Sequence, residues 1–209
     1  LTNDVLIMSF IENNNIRSND YQKILAKEIL KIHSVTNDKY GFKFDSQIGG
    51  LKQPNSYSSN WINFFRDHRL NIIFKLINQN EPMPSLINRG LEAVIKNLEN
   101  FIPSKPRISL LHGDLWKGNI LFHNKKLVGL IDPGIFFGHN ELEIAYLRWF
   151  NEINTSFLDY YSEIIKIEKD YYTYEPIYQI YYSLLNVHLW SRKYINDVDR
   201  LLNNIFNRK

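Results

Sequence analysis

The sequence of 209 residues contains no cysteine, which excludes disulfide bonds and thiolate chemistry. A reducing compartment fits this absence, so we expect a cytoplasmic protein. No apolar run approaches the roughly 20 residues that a membrane-spanning helix requires. The opening LTNDVLIMSF also has neither the basic region nor the small-residue cleavage site of a secretory signal. The sequence therefore predicts no association with a membrane.

The sequence also has little net charge. The 25 Lys and Arg residues stand against 22 Asp and Glu residues, and they are scattered rather than grouped, so we expect no nucleic-acid partner. Hydrophobic residues make up 44% of the chain, a share that is typical of a globular domain with a buried core.

The sequence does contain an ordered set of polar residues between positions 110 and 134. The tripeptide HGD ends at Asp114, Asn119 follows five residues later, and the tripeptide DPG begins at Asp132 beyond a short predicted hairpin. The order H-x-D-x-x-x-x-N followed by D-x-G is the one in which kinases place a base and then two metal ligands. Each tripeptide alone is common, and DPG alone is more often a turn. The joint pattern predicts phosphoryl transfer.

Each of the three polar residues suits one part of that chemistry. The Asp114 carboxylate can orient an acceptor hydroxyl and take its proton. Asn119 and Asp132 offer the oxygen ligands that Mg²⁺ prefers, and Mg²⁺ usually takes only one or two carboxylates from protein when phosphates complete its shell. We therefore predict Asp114 as the catalytic base and Asn119 and Asp132 as magnesium ligands.

The spacing of apolar residues predicts a mostly helical chain with a small β element that carries the motif. A strand is predicted at residues 5–10, and a long loop at residues 40–59, where neither period is sustained. Further strands are predicted at residues 108–111, 120–122 and 127–131. Helices are predicted at residues 20–34, 60–78, 85–100, 140–150, 156–167, 175–194 and 197–206. Asn60 is expected to cap the second helix, and Asn140 paired with Glu143 the fourth.

Four stretches of the sequence resemble the fructosamine kinases (ketosamine-3-kinases), which are relatives of the aminoglycoside phosphotransferases. They read YGFKFDSQIGGLKQPN, NWINFFRDHRL, HGDLWKGN and IDPGIFFGHNELEIAYLRWF, and the resemblance extends from Val5 to Leu202. It implies an α+β, protein-kinase-like fold. Residues 1–12 would form the end of an N-terminal-lobe strand and the hinge, and residues 13–209 the mostly helical catalytic C-terminal lobe. The glycine-rich loop, lysine and glutamate of the N-terminal lobe do not precede Val5, so we expect that lobe to be largely missing from this chain.

The resemblance also implies an activity. Members of this family phosphorylate the sugar 3-hydroxyl of a ketosamine, the early product of glycation, and so mark the adduct for removal. The cofactors would be ATP and Mg²⁺. The partner would be a ketosamine, either as a small molecule or borne on a protein.

Further site residues follow from the same resemblance. Ser9, Phe10 and Ile11 would form the hinge whose backbone reads the adenine edge, and Leu121 and Ile131 would line the adenine floor.

The substrate side is expected to include three more residues. Trp116 is predicted to stack on the sugar, with simple packing as the alternative. His112 and His139 are further substrate-binding candidates, and each could instead brace a turn. Glu143 is predicted to brace the catalytic loop.

Two other functions stay open at this stage. The first is a kinase of another small hydroxylated metabolite, such as an aminoglycoside or a choline-like compound. Such cationic substrates favour an acidic pocket, and residues 40–60 contain no acidic cluster. The second is a non-catalytic, kinase-like binding module.

Overall fold

A computed structural model describes residues 9–207, which form a mainly helical α+β fold. The predicted strand at residues 5–10 lies mostly outside the described residues, and Ser9 and Phe10 are not in a strand. The helices are α1 (Tyr21–His33), α2 (Trp61–Phe65), α3 (Asn71–Asn80), α4 (Ser85–Lys96), α5 (Asn140–Trp149), α6 (Thr155–Ser162), α7 (Tyr171–Leu189) and α8 (Ile195–Phe206). The strands are β1 (Ser46–Ile48), β2 (Leu51–Gln53), β3 (Ile108–Leu111), β4 (Ile120–His123), β5 (Lys126–Leu130) and β6 (Phe136–His139).

The predicted helix at residues 60–78 is confirmed as one helical path, but it contains a π turn. Asn60 caps it as predicted, because its Oδ1 accepts a hydrogen bond from the N–H of Asn63 at 2.9 Å. A π-helical turn, Arg66–Leu70, then joins α2 to α3. Such a turn shifts the phase of the side chains that follow. It coincides here with the complete burial of Arg69.

Arg69 forms hydrogen bonds to the segment that precedes α2. Its guanidinium donates to the carbonyl of Pro54 at 2.9 Å and to Oδ1 of Asn55 at 2.6 Å, and it lies 4.1 Å from the ring centroid of Phe136. Asn55 in turn donates to Oγ of Ser46 at 3.0 Å. The segment before α2 is therefore held to the core by buried polar contacts.

The prediction of a long loop at residues 40–59 is wrong. The strands β1 and β2 form an antiparallel hairpin there, and Tyr40 and Gly41 make isolated bridges to Ser58 and Phe137. Each strand has only three residues, too few to show an alternating pattern. The Gly49–Gly50 turn was the available signal, since both glycines have positive φ, as the tightest hairpin turns require.

Two antiparallel pairs of strands flank the HGD and DPG tripeptides. The predicted hairpin of β4 and β5 is confirmed, with Asn124 and Lys125 at positive φ in its turn. The sequence did not indicate β6, which pairs with β3 so that Leu111 lies opposite Phe136. This pairing brings the loop that follows β3 next to the loop that precedes β6. Both tripeptides lie in these loops.

The C-terminal helices pack around this β element, with some boundaries shifted from the prediction. α6 ends five residues early, and α7 begins four residues early, with Pro176 inside it. The capping pair of Asn140 and Glu143 is wrong, because α5 already begins at Asn140, whose amide donates to the Tyr161 hydroxyl at 3.1 Å. No helix among residues 9–207 is long and apolar enough to cross a membrane.

A buried cluster of ionisable groups lies where α5 begins against α7. His139 Nδ1 lies 2.8 Å from the Tyr178 hydroxyl, and its Nε2 lies 3.5 Å from Glu141. Glu141 accepts hydrogen bonds from the Tyr174 hydroxyl and from the N–H of Glu168. Burial raises the pKa of Glu141 to about 7, and burial lowers the pKa of His139 to about 3. Glu141 therefore changes charge near neutral pH while His139 stays neutral.

We expect Glu141→Gln to flatten the pH dependence of stability between pH 5 and pH 8. The carboxyl holds its proton to about pH 7 in the folded protein, against 4.5 for an unperturbed glutamate. The folded state therefore binds more protons than the unfolded state in this window. Its stability falls as pH rises, by up to about 2–3 kcal/mol. Gln has no proton to lose.

Urea unfolding of both proteins at pH 5 and pH 8 tests this expectation. The lowered pKa of His139 makes an opposite contribution, in which stability is lost as pH falls below about 6.5, but it is present in both proteins and cancels from the comparison. A pH dependence of equal size in the parent and the variant would contradict the prediction.

Candidate active site

The two tripeptides pack directly against each other. Gly113 has a φ of +85°, a conformation that favours glycine. A Cβ atom at this position would lie 2.2 Å from the carbonyl oxygen of Gly134, which no structure could accommodate without moving backbone. Glycine at position 113 thus allows the loop after β3 to touch the loop before β6.

Glu143 holds the first of these loops, so its prediction as a brace is confirmed. Its carboxylate accepts hydrogen bonds from the N–H of Gly113 at 2.6 Å and of His112 at 3.3 Å, and it lies 2.9 Å from His33 Nε2. His33 Nδ1 lies 2.7 Å from the Tyr161 hydroxyl. Burial alone would raise the pKa of Glu143, but the hydrogen bond and charge of His33, with His112 and Gly113, outweigh it and lower that pKa.

Asp114 is half-buried between two donors. The Tyr146 hydroxyl donates to its Oδ1 at 3.2 Å, and the Asn119 amide donates to its Oδ2 at 3.2 Å and to its backbone carbonyl at 2.8 Å. Burial raises the pKa of Asp114, and the hydrogen bonds from Tyr146 and Asn119 moderate the rise. The carboxylate is therefore fixed in orientation, with lone pairs left on both oxygens for an incoming hydroxyl.

Asn119 and Asp132 are brought together by the β4–β5 hairpin. The N–H of Ile131 donates to the carbonyl of Asn119 at 3.1 Å, so the residue next to Asp132 is bonded to Asn119 itself. Asp132 is exposed and has a φ of +53°. The Asn119 amide nitrogen is engaged by Asp114, which leaves its Oδ1 as a ligand.

These two oxygen ligands suit a Mg²⁺ ion, and they do not form a site made of protein ligands alone. Among residues 9–207, no group of three or more His, Asp or Glu side chains could hold a metal ion. One amide oxygen and one carboxylate match a magnesium ion that takes most of its ligands from phosphate and water. The assignment of Asn119 and Asp132 as magnesium ligands stays a prediction.

The five residues predicted for the nucleotide share one pocket. Its lining consists of Ser9, Phe10, Ile11, Asn13, Leu121 and Ile131. Gly129 of β5 allows this close approach, because a Cβ there would lie 3.0 Å from Ile11. One of its lining residues, Ile131, directly precedes Asp132 in the sequence. Nucleotide binding by these residues stays a prediction, but the structure does bring them together.

A second pocket of about 220 Å³ opens beside Asp114 and is mainly apolar and aromatic. Trp116 lies on its wall, 37% exposed, with its ring centroid 6.0 Å from that of Phe150. Among the described residues that line this pocket, Asp114 is the only one that carries a formal charge. The other lining residues are Ile48, Gly49, Tyr146, Leu185, Asn186, Leu189, Trp190 and Tyr194.

Most of this aromatic pocket was missed by sequence reasoning, because its walls come from α5, α7 and the β1–β2 turn. Trp116 lies in this pocket lining, and its predicted stacking on a sugar stays a prediction. His112 and His139, also predicted for the substrate side, are at most 5% exposed and are not among the residues that line this pocket, and His139 is hydrogen-bonded to Tyr178. Substrate binding by these two histidines stays a prediction.

We expect Gly118→Ala to weaken acceptor binding through Trp116. A Cβ at position 118 would lie 2.5 Å from the indole ring, so the exposed ring must move away. Losing an aromatic stacking contact of about 1 kcal/mol would raise the KM for the acceptor roughly fivefold. Lys117→Ala, at an exposed neighbouring position, is the matched control. Equal acceptor KM values for the two variants would contradict a role for Trp116 in binding.

Several small-molecule kinases of known structure share the fold of this chain. A choline kinase from Streptococcus pneumoniae superposes with a TM-score of 0.60 at 15% identity, over 89% of this chain and 63% of that one. Aminoglycoside phosphotransferases are similar at TM-scores of 0.51 to 0.55. The predicted protein-kinase-like α+β fold is therefore confirmed.

The sequence then assigns the family. The family model for fructosamine kinase matches residues 2–208, so the chain belongs to the fructosamine kinase family. A probable ketoamine kinase from Enterococcus faecium is 34% identical over 187 residues, which are 88% of this chain and 66% of that protein. A chloroplastic protein-ribulosamine 3-kinase from Oryza sativa is 34% identical over 67% of this chain and 41% of that protein.

A solved structure from Thermobifida fusca, of a candidate fructosamine-3-kinase, has a TM-score of 0.87 at 21% identity and covers 96% of this chain and 69% of that one. The chain spans about two thirds, or less, of the length of the curated relatives that it matches. These comparisons match the chain to a part of longer relatives, and they do not support the expectation that an N-terminal lobe is missing from the protein.

Proposed function

We propose that the protein is an ATP-dependent kinase that phosphorylates the sugar 3-hydroxyl of a ketosamine. The observation that carries the proposal is the position of Asp114, Asn119 and Asp132 between two pockets. Asp114 lines the aromatic pocket, and Asp132 directly follows Ile131, which lines the other pocket. A kinase needs this order of acceptor, base, metal ligands and nucleotide, because it positions one hydroxyl in line with one phosphorus atom.

In this proposal, Asp114 would accept a hydrogen bond from the acceptor hydroxyl and take its proton as the oxygen bonds to the γ-phosphorus of ATP, while the bond from that phosphorus to the bridging oxygen breaks and ADP leaves. The raised pKa of Asp114 makes it a stronger base than an exposed aspartate. Asn119 and Asp132 would hold Mg²⁺, which neutralises charge on the ATP phosphates. Ser9, Phe10 and Ile11 would contact the adenine edge, with Leu121 and Ile131 beneath the ring.

The aromatic pocket supports a sugar acceptor with an amine substituent. The face of Trp116 can stack on the C–H face of a sugar whose hydroxyl points to Asp114. Trp190, which is 71% exposed, and Tyr194 lie at the same pocket, where an amine substituent could leave the site. An open rim of this kind accommodates a ketosamine on a small amine or on a protein lysine, and the family's ketoamine and ribulosamine kinases support both.

A second candidate is a kinase of a choline-like cation. The aromatic walls formed by Trp116, Phe150, Trp190 and Tyr194 favour it, because aromatic faces attract quaternary ammonium groups. The single carboxylate at the pocket is Asp114, so an aminoglycoside with several positive charges would find little compensation there.

Release of ADP by the protein from its complete reading frame tests these candidates. We would offer ribulosyl-lysine, fructosyl-lysine, choline and kanamycin with Mg²⁺ and ATP. Turnover on a ketosamine is the expected result. Turnover on choline alone would move the second candidate ahead, and no turnover by folded protein would favour a non-catalytic module.

A further inference from the structure

The predicted base is held by a residue outside the HGD and DPG tripeptides. The Tyr146 hydroxyl donates to Oδ1 of Asp114 at 3.2 Å, opposite the Asn119 amide on Oδ2. Tyr146 comes from α5, more than thirty residues after the HGD tripeptide, and its side chain also forms a wall of the aromatic pocket. Its hydroxyl is therefore placed between the base and the acceptor site.

The ring of Tyr146 has little freedom to move. The Tyr182 ring stacks on it with centroids 3.6 Å apart and planes 9° from parallel, and Phe150 packs edge-on at 5.1 Å. Tyr182 belongs to the buried helix α7. Because the ring packs against Tyr182 of α7 and against Phe150 at the end of α5, the position of its hydroxyl is set by packing in the core.

The hydroxyl also keeps its role as a donor. Burial and the nearby Asp114 charge raise the pKa of Tyr146 well above its usual value, so the phenol stays protonated throughout the working range. A protonated phenol beside a carboxylate has one productive orientation, with the hydrogen directed at Oδ1.

We propose that Tyr146 is a positioning residue that fixes the orientation of the Asp114 carboxylate for phosphoryl transfer. The inference rests on the proposed kinase function. With one oxygen held by Tyr146 and the other by Asn119, the carboxylate cannot rotate about its Cβ–Cγ bond. The remaining lone pairs then face the acceptor pocket, and a hydroxyl bound there meets the base in one geometry.

The chain offers a closely matched control for this proposal. The Tyr182 hydroxyl is buried and has no hydrogen-bond partner among the described residues. Tyr146→Phe and Tyr182→Phe therefore remove the same atom from the two rings of one stack. Only the first of them removes a bond to Asp114.

We expect Tyr146→Phe to lower kcat about tenfold, the size expected for losing one hydrogen bond to a charged group. The KM for ATP should stay within about twofold of the parent, because the nucleotide pocket is not touched. Tyr182→Phe should keep both values. In an Asp114→Asn background, Tyr146→Phe should cause no further loss, since a residue that acts through Asp114 has nothing left to position.

Three results separate the possible failures. Parent-like kcat in Tyr146→Phe, or an equal loss in both backgrounds, would overturn the positioning role while leaving the kinase proposal intact. Absence of turnover by the parent protein would overturn the kinase proposal instead. Crystal structures of the two variants then decide the positioning role alone: a rotated Asp114 carboxylate in Tyr146→Phe but not in Tyr182→Phe supports it, and unchanged carboxylates in both overturn it.

Discussion

Replacing Asp114 with Asn is expected to lower kcat by about 10² to 10⁴-fold, the range by which a general base accelerates a reaction. The amide cannot take the acceptor proton, whereas the carboxylate can. The KM for ATP should change little, because the predicted nucleotide contacts lie in the other pocket. Steady-state kinetics with a ketosamine acceptor measure both constants.

The fold should survive this substitution. Two donors meet different oxygens of the Asp114 carboxylate, and Asn keeps an oxygen at only one of the two positions. The Tyr146 oxygen can accept from the new NH₂ group, however, and its own hydrogen can turn toward the pocket that Tyr146 lines, where water can accept it. We therefore expect a melting temperature close to that of the parent. A variant that keeps more than a tenth of the parent kcat would contradict the role of Asp114 as base.

Replacing Glu143 with Ala should cause the largest loss of stability, about 3–5 kcal/mol, because several buried donors lose a charged acceptor. Three groups would lose their acceptor at once: the N–H groups of His112 and Gly113, and Nε2 of His33. Glu143 is completely buried, so water cannot easily replace the carboxylate. Urea unfolding gives the free energy of unfolding for comparison with the parent.

Activity should fall together with stability in this variant, because the released N–H groups belong to the loop that presents Asp114. Glu92→Ala, on the exposed face of α4, is a control that should stay within about 0.5 kcal/mol of the parent. Glu143→Gln keeps one oxygen acceptor and should lie between Glu143→Ala and the parent. A loss below 1 kcal/mol for Glu143→Ala would show that the loop holds its shape without the brace.

The parts of the site that could be predicted from sequence are those encoded by neighbouring residues. Asp114 and Asn119 lie on one loop, and the β4–β5 hairpin returns the chain to Asp132. Local turn chemistry therefore brings these three residues near one another. Glu143 was also predicted correctly as a brace, although the reasoning that it caps a helix was wrong.

The parts that sequence could not provide depend on packing between distant segments. The aromatic pocket combines Gly49, Trp116, Tyr146 and Trp190, and no local period records that these residues meet. Strand β6 was missed because its partner is β3, and the paired residues lie far apart in sequence, as Ser109 and Gly138 do. The burial of the histidines at positions 112 and 139 could not be predicted either, because a polar residue type does not reveal burial.

The most direct test of the proposed activity is the position of the phosphate in the product. Ribulosyl-lysine would be incubated with Mg²⁺, ATP and the protein from its complete reading frame, and the product examined by phosphorus–proton correlation NMR. Coupling of the new phosphorus to the proton on carbon 3 of the sugar, absent with Asp114→Asn, is the predicted result. Phosphate on another hydroxyl, or the same product from the Asp114→Asn protein, would contradict the account.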